Sequence, residues 1–486
     1  MESLGPVLAV VARVLVGFSA AFLVPLAWAW AMDEPWLHGV WAGGCLATLA
    51  AGVVLALLTR RFRRELQPRD GFLLVTLVWV TLPAFSAVPL LLTVPAIDVA
   101  SAYFEAMSAL TATGATAISG LDRLPVSVNV WRCFLQFVGG LGIILLVVAV
   151  LPLLGLGGMQ LYRAEAPGPL KDAKLTPRIA ETARGLWTVY FALSAICLLA
   201  YRWAGMSWAD AFMHMCSTMG LGGFSSHDAS FAYWNSPWIE GVAIVFMALS
   251  GVAFARYFLA WRNRSMRGLL QDTEVRAYVA VLAGSTVLLA VLLLDRRVHD
   301  DLGGALRAAA FQVVSLATTT GYVSADYALW PVFAPVLLIF LGCFASCAGS
   351  TGGGIKMVRM LLLVKQARRE LVRIIHPHVI NPVTLSGTTV SSQVIANVLA
   401  YMLIYGASLI GLTLLLLLTG LDLVTAFSAV IVCLNNIGPG LGLVGPTGNF
   451  GVLTDLQLWV LSFAMLLGRL ELMSVLVLFT AQFWRK

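Results

Sequence analysis

Apolar stretches long enough to cross a lipid bilayer recur ten times along the 486 residues, at about 6–31, 35–59, 71–92, 131–154, 184–203, 238–261, 275–294, 332–364, 393–418 and 456–483. Each supplies about 20 residues, the length that a ~30 Å hydrocarbon core demands of a helix. Lipid offers no partner to backbone N–H and C=O groups, so such a chain must be helical wherever it crosses. Only 11% of the residues are charged, too few to clothe a water-soluble chain of this size. The first stretch is too long for a cleavable leader, and acidic Asp33 and Glu34 follow it without a small-residue cleavage site; it reads as a retained helix.

The charges orient the chain. With the N-terminus inside, twenty Lys and Arg fall in cytoplasmic connections and only Arg123, Arg296, Arg297 and Arg307 fall outside. That asymmetry predicts cytoplasmic termini at both ends. The net charge of +7 is therefore a property of topology and does not point to nucleic acid. The seven cysteines lie in or beside apolar segments with no CxxC pair, so they read as packed thiols.

The outer connections after spans 3, 5, 7 and 9 carry the functional signal. Each contains an apolar stretch too short to span, begins near an acidic residue (Asp98, Asp210, Asp301, Asp422), and ends in a glycine-bearing loop. Ten residues separate Phe104 from Gly114, Phe212 from Gly222 and Phe311 from Gly321, and eleven separate Phe427 from Gly438. A fixed phase inside a long period is the mark of internal duplication. Non-helical backbone at membrane depth must line water or be buried in protein. Four such loops around one axis would present rings of carbonyl oxygens able to replace the hydration shell of a monovalent cation. Helix C-termini aimed at the same cavity add partial negative charge. No acidic side chain stands at the loop positions, which argues against a carboxylate ring for a divalent ion.

The loops TATGAT, MGLGGFSSHD, TTTGYVSAD and LNNIGPGLG, the stretch GGMQLYRAEAPGPLKDAKLTPRIAETAR and the ending MLLGRLELMSVLVLF closely resemble Trk-type potassium-uptake membrane subunits, the TrkH/TrkG branch of the Trk/Ktr/HKT superfamily. The resemblance runs along essentially the whole chain. It implies an all-α integral membrane fold with four helix–pore loop–helix repeats around one pore, plus two additional N-terminal transmembrane helices. It also implies that K⁺ is bound by carbonyls of Ala112, Thr113 and Gly114; Gly220, Leu221 and Gly222; Thr319, Thr320 and Gly321; and Asn436, Ile437 and Gly438. Glycine rather than serine at 114 favours K⁺ over Na⁺ in this family, while Met219-Gly220 departs from the bulkier pairs usual in the second loop. Expected partners are a second copy in a homodimer, the lipid bilayer and a cytoplasmic nucleotide-binding ring of the TrkA type. Nucleotide is expected only on that ring, and no covalently bound cofactor or nucleic acid is expected. The expected location is the bacterial inner membrane.

Span 8 contains GCFASCAGSTGGGIK, with Gly349, Gly352, Gly353 and Gly354 close to Lys356. So many small residues disfavour continuous helix, each glycine costing about 1 kcal/mol relative to alanine. An intramembrane loop is expected over 342–355, with tight helix packing as the competing reading; in the family the matching segment is regarded as the gate. Span 10 carries Arg469 and Glu471, whose spacing puts them on different faces, so each needs another partner. By resemblance Arg469 faces the pore, and Lys356 is the expected partner of Glu471. The repeat boundaries read as 1–70 for the two N-terminal helices, then 71–182, 183–274, 275–390 and 391–486.

Residues 163–184 form an amphiphilic cytoplasmic stretch, either a solvated loop or a docking surface, and His227-Asp228 reads as ordinary vestibule surface. GLGGM near Gly155 lacks the flanks of a dinucleotide fingerprint, and no Walker A sequence is present. A coupled transporter for an organic solute would expose charged contacts near the midplane. A membrane enzyme would need clustered His and acidic residues inside the spans, whereas the six histidines are scattered. An ion conductor, not an enzyme, is the reading that fits.

Overall fold

The structure, a computed structural model, describes residues 4–62, 66–145 and 176–485. The segment 146–175, with GLGGM and most of the amphiphilic stretch, lies outside the described residues.

Helices α1 (Gly5–Ala31, tightened to 3₁₀ at Ala20–Phe22) and α2 (Pro35–Thr59) form an antiparallel pair against α3 (Pro68–Thr93). Proline sits in the first turn of α2 and α3, where its missing N–H would have had no helical partner. The chain continues as α4 (Val99–Leu110), α5 (Val126–Leu145), α6 (Thr176–Ala204), α7 (Trp208–Gly220), α8 (Pro237–Ser250) and α9 (Phe254–Arg262). Then follow α10 (Thr273–Asp295), α11 (Leu302–Ala317), α12 (Phe333–Phe344), α13 (Met357–Ile375) and α14 (Ser392–Leu418). The last elements are α15 (Leu423–Asn435), α16 (Asp455–Arg469) and α17 (Met473–Leu476). Among the described residues the only strands are a two-residue pair, Thr384–Leu385 with Thr388–Thr389.

Seven described helices are long and apolar enough to cross a membrane, and two bent pairs raise the number to nine. Spans 6 and 10 are not the continuous helices that hydropathy draws. Span 6 bends by 83° between α8 and α9. A Cβ at Gly251 in that break would collide with the Tyr278 hydroxyl. Span 8 leaves the helix over 345–356. Span 10 bends by 110° after Arg469, through left-handed Glu471 (φ 57°) and Leu472 (φ 33°). Two non-glycine residues in that region store roughly 1–2 kcal/mol each, so neighbouring contacts must hold the bend.

The four short helices α4, α7, α11 and α15 have 12, 13, 16 and 13 residues, about 18–24 Å of helix, less than a bilayer core. The acidic residues before three of them are N-caps. Asp98 accepts from Ser101 N, Asp301 from Gly304 N and Asp422 from Thr425 N. In α7 the cap is Ser207, and Asp210 lies inside the first turn.

Candidate functional site

Each short helix ends in the same backbone turn. An N–H reaches back five residues in all four: Thr113 to Ser108 O (2.8 Å), Gly222 to Ser217 O (2.9 Å), Thr320 to Ser315 O (2.8 Å) and Ile437 to Val432 O (2.8 Å). The residue before each is left-handed: Ala112 (φ 52°), Leu221 (φ 53°), Thr319 (φ 63°) and Asn436 (φ 54°). The glycine after each is left-handed as well: Gly114 (83°), Gly223 (77°), Gly321 (83°) and Gly438 (102°).

This register corrects one sequence expectation. The second loop's equivalent triplet is Leu221-Gly222-Gly223, whereas Gly220 is the last residue of α7. The phenylalanine count explains the slip. Phe104 and Phe311 are fully buried, but Phe427 is 44% exposed and Phe212 is half-buried. The buried place of Phe104 is taken by Met213 in α7 and by Ser428 in α15. Loops 2 and 4 therefore both count eleven residues from a phenylalanine that has turned one position away from the core.

The four loops close on one another in chain order. A Cβ on Gly114 would collide with the Gly222 carbonyl oxygen, on Gly223 with that of Thr320, and on Gly321 with that of Ile437. On Gly438 it would lie 2.9 Å from Thr113 O, which completes the ring. Glycine is required there both by backbone angle and by the neighbour's carbonyl.

Side chains that sequence reading missed brace the loops from behind. Three residues before each helix-terminal acceptor stand Glu105, His214, Gln312 and Ala429. Glu105 accepts from Ala117 N (2.8 Å) and Thr116 Oγ1 (3.0 Å) and is paired with Arg132 at 2.7 Å, both fully buried. His214 Nε2 meets Ser225 Oγ at 3.0 Å. Gln312, with its amide oxygen turned toward donors, accepts from Ser324 N (2.9 Å) and Ala325 N (3.2 Å). In the fourth repeat Ala429 cannot bond, and Ser428 takes over by accepting from Leu441 N at 3.0 Å. Gln136 of α5 grips loop 2, donating to Gly222 O (2.7 Å) and accepting from Phe224 N (3.1 Å). Thr111–Thr113 and Thr318–Thr320 hydroxyl pairs, each 2.7 Å, stiffen loops 1 and 3. An intramembrane arginine at 132 was the available signal, because such a charge must find a partner.

His227 is more than vestibule surface. Its ring stacks on Tyr233 (centroids 3.5 Å apart), Nδ1 bonds Asp122, and Nε2 lies 3.5 Å from Asp210. Asp228 accepts from Gly120 N at 3.0 Å. Burial alone would lower the His227 pKa, but the Asp210 and Asp122 carboxylates outweigh it and the net shift is upward. Burial would raise the Asp122 carboxyl, and the His227 bond reverses that to a net lowering.

On the opposite side of the ring lies the loop 345–356, with Gly349 and Gly354 left-handed. Thr351 Oγ1 donates to Met219 O (3.0 Å), Gly353 N donates to Thr319 Oγ1 (2.8 Å), and a Cβ on Gly353 would strike Asn435 O. The loop thus abuts the ends of α7, α11 and α15. Gly352 accepts from Lys356 Nζ. Buried Arg469 donates to Thr351 O (2.8 Å) and to Gly139 O of α5 (3.1 Å). The break in span 6 is sealed by the same loop, through Cys347 N to Gly251 O (3.0 Å) and Phe254 N to Gly349 O (3.2 Å). Glu471 pairs with Arg359 at 2.7 Å, which corrects the expectation of Lys356. The Lys356 ammonium folds back onto its own loop, while Arg359, nearly one turn along α13, faces the bend and stacks over Tyr401 at 4.2 Å.

The whole chain aligns with the Trk system potassium uptake protein TrkH of Halomonas elongata at 43% identity, covering 100% of both sequences. The protein of the same name from Escherichia coli K12 is 43% identical over 90% of each chain. The crystal structure of the potassium transporter TrkH from Vibrio parahaemolyticus superposes with a TM-score of 0.89 at 38% identity, covering 99% of both chains. Residues 38–486 match the TrkH family, described as a cation transport protein. The all-helical membrane architecture, the ring of four glycine loops and these matches have one reading: the chain belongs to the TrkH family of cation transport proteins.

Proposed function

We propose that this chain takes up potassium across the bacterial inner membrane through a channel-like pore whose selectivity filter is the ring of four loops. The carrying observation is the closed order in which each loop's glycine meets the next loop's carbonyl. In this reading K⁺ is held by backbone oxygens of Ala112–Gly114, Leu221–Gly223, Thr319–Gly321 and Asn436–Gly438, which replace its water shell. Glu105 is neutralised by Arg132, so selectivity rests on carbonyl dipoles rather than on a free carboxylate. The loop 345–356 with Arg469 is the gate: it abuts three of the short helices, and a guanidinium tethers it. The repeats divide near 70, 182, 274 and 390, and both termini are cytoplasmic. A homodimer regulated by a cytoplasmic nucleotide-binding subunit completes the proposal, on the strength of the sequence resemblance alone.

The test is ⁸⁶Rb⁺ uptake into proteoliposomes with Na⁺ as competitor. The unmodified chain is expected to take up Rb⁺ selectively, and Gly114→Ser to lose the preference. Uptake no greater than in empty liposomes, even with the cytoplasmic subunit added, would refute a cation pore.

A further inference from the structure

The gate loop is closed at its base like a purse. Ile355 N donates to Cys343 O at 2.7 Å, and Met357 N donates to Ser346 O at 2.9 Å, so the two limbs are joined before the loop enters the protein. One carboxylate oxygen spans that neck. Glu274 Oε1, in the first turn of α10, accepts from Ala348 N on the entering limb (2.7 Å) and from Val358 N on the leaving limb (3.2 Å). Glu274 is buried. Its helix end is itself fixed, since Asp272 caps α10 through Val275 N (3.0 Å) and pairs with Arg256 of α9 at 2.7 Å. The neck therefore hangs from the ends of two other helices, α9 and α10, while Arg469 holds the tip.

Resting on the gate reading above, we infer that Glu274 is a positioning residue of the gate: by gripping both limbs it sets how far the loop reaches toward the ring. Buried N–H groups left unpaired are strongly disfavoured. Without the carboxylate oxygen, the Ala348 and Val358 donors must find water or other acceptors, and the neck must part to let them. The loop then loses its seat although every residue at its tip is intact. A carboxamide keeps an accepting oxygen of the same reach, so glutamine preserves the grip where alanine abolishes it.

The experiment measures ⁸⁶Rb⁺ flux in proteoliposomes holding the full chain alone, per unit of protein eluting as a single folded species. The variants are Glu274→Ala, Glu274→Gln and a chain lacking 349–354, with Na⁺ competition measured on each. Expected are high flux for the shortened loop, a rise of about tenfold for Glu274→Ala with unchanged Rb⁺ over Na⁺ preference, and rescue toward the unmodified level by glutamine. A residue that merely stabilised the fold would lower flux, never raise it. Should Glu274→Ala not fold, Glu274→Asp, which falls short of the neck, is read by the same criterion. If the shortened loop conducts freely while Glu274→Ala and Glu274→Asp stay at the unmodified level, this inference fails and the gate stands. If the shortened loop does not raise flux, the gate reading fails and Glu274's role falls with it.

Discussion

The loop ring and the loop beneath it are both irregular backbone at membrane depth, yet they are held in opposite ways. Much of the bracing of each ring loop comes from its own repeat: Glu105 reaches Ala117, His214 reaches Ser225, Ser428 reaches Leu441. The loop 345–356 takes one bond from Thr319 of its own repeat and hangs from Glu274 at the start of α10, but Met219 of the second repeat and Arg469 of the fourth also hold it. Local braces survive relative motion of the repeats, whereas contacts across repeats break when the repeats move. The first property suits the proposed filter and the second the proposed gate.

The largest expected effect breaks the local side of this contrast. Glu105→Ala leaves Arg132 buried without its carboxylate, a loss of about 3–5 kcal/mol. It should appear as a large fall in Tm and in folded yield in detergent. Glu105→Gln combined with Arg132→Met should recover most of it, and a Tm unchanged in the alanine variant would show that the brace is idle.

Next comes the register of the second loop. Gly223→Ala faces a left-handed angle and the Thr320 carbonyl, whereas Gly222→Ala collides only with the Gln136 side chain. Selective Rb⁺ uptake should be lost in both, and be partly restored only for Gly222→Ala by Gln136→Asn, which draws the amide back from the added methyl. Rescue of Gly223→Ala instead would return the filter position to 222.

On the gate side, Arg469→Gln weakens two charge-assisted bonds. With ~1.5–3 kcal/mol for a bond to a charged group, basal flux should rise about tenfold or more while ion preference holds. A shift in preference with no rise would place Arg469 with the ring instead.

The smallest effect concerns the outer bridge, a partly exposed pair worth ~0–1 kcal/mol. His227 has a raised pKa, so its contribution is complete below its ordinary 6.5 and is lost as pH climbs through the higher folded value. Asp122 has a lowered pKa, so its contribution is present above the ordinary carboxylate value and is lost as pH falls through the depressed one. Between those limits Tm should exceed that of His227→Gln slightly, and the two should converge in alkali. A Tm difference that stays constant from neutral to alkaline pH would dismiss the bridge.

Much of this was legible in residue order. The N-terminal spans follow from hydropathy, and Gly114 and Gly321 follow from a count of ten. The same count lands on Gly222 because nothing in the sequence tells that Phe212 has turned from the core. Span 10 reads as one apolar run because its bend at Glu471 is made by backbone angles, not by glycine or proline. Residue order does not single out Glu471's partner, because a lysine and an arginine three residues apart are equal candidates until helix phase is known.

The sequence by itself determined the lipid solvent, the uneven placing of Lys and Arg among the connections, and the four short helices that lead into glycine loops, because hydropathy, charge and helix caps act over a few residues at a time. Tertiary structure alone decided which carbonyl meets which glycine, that Glu105 is matched by Arg132, and that one oxygen of Glu274 closes a loop more than seventy residues away. Those pairings depend on how separate helices pack, and burial makes each of them costly to leave unmade.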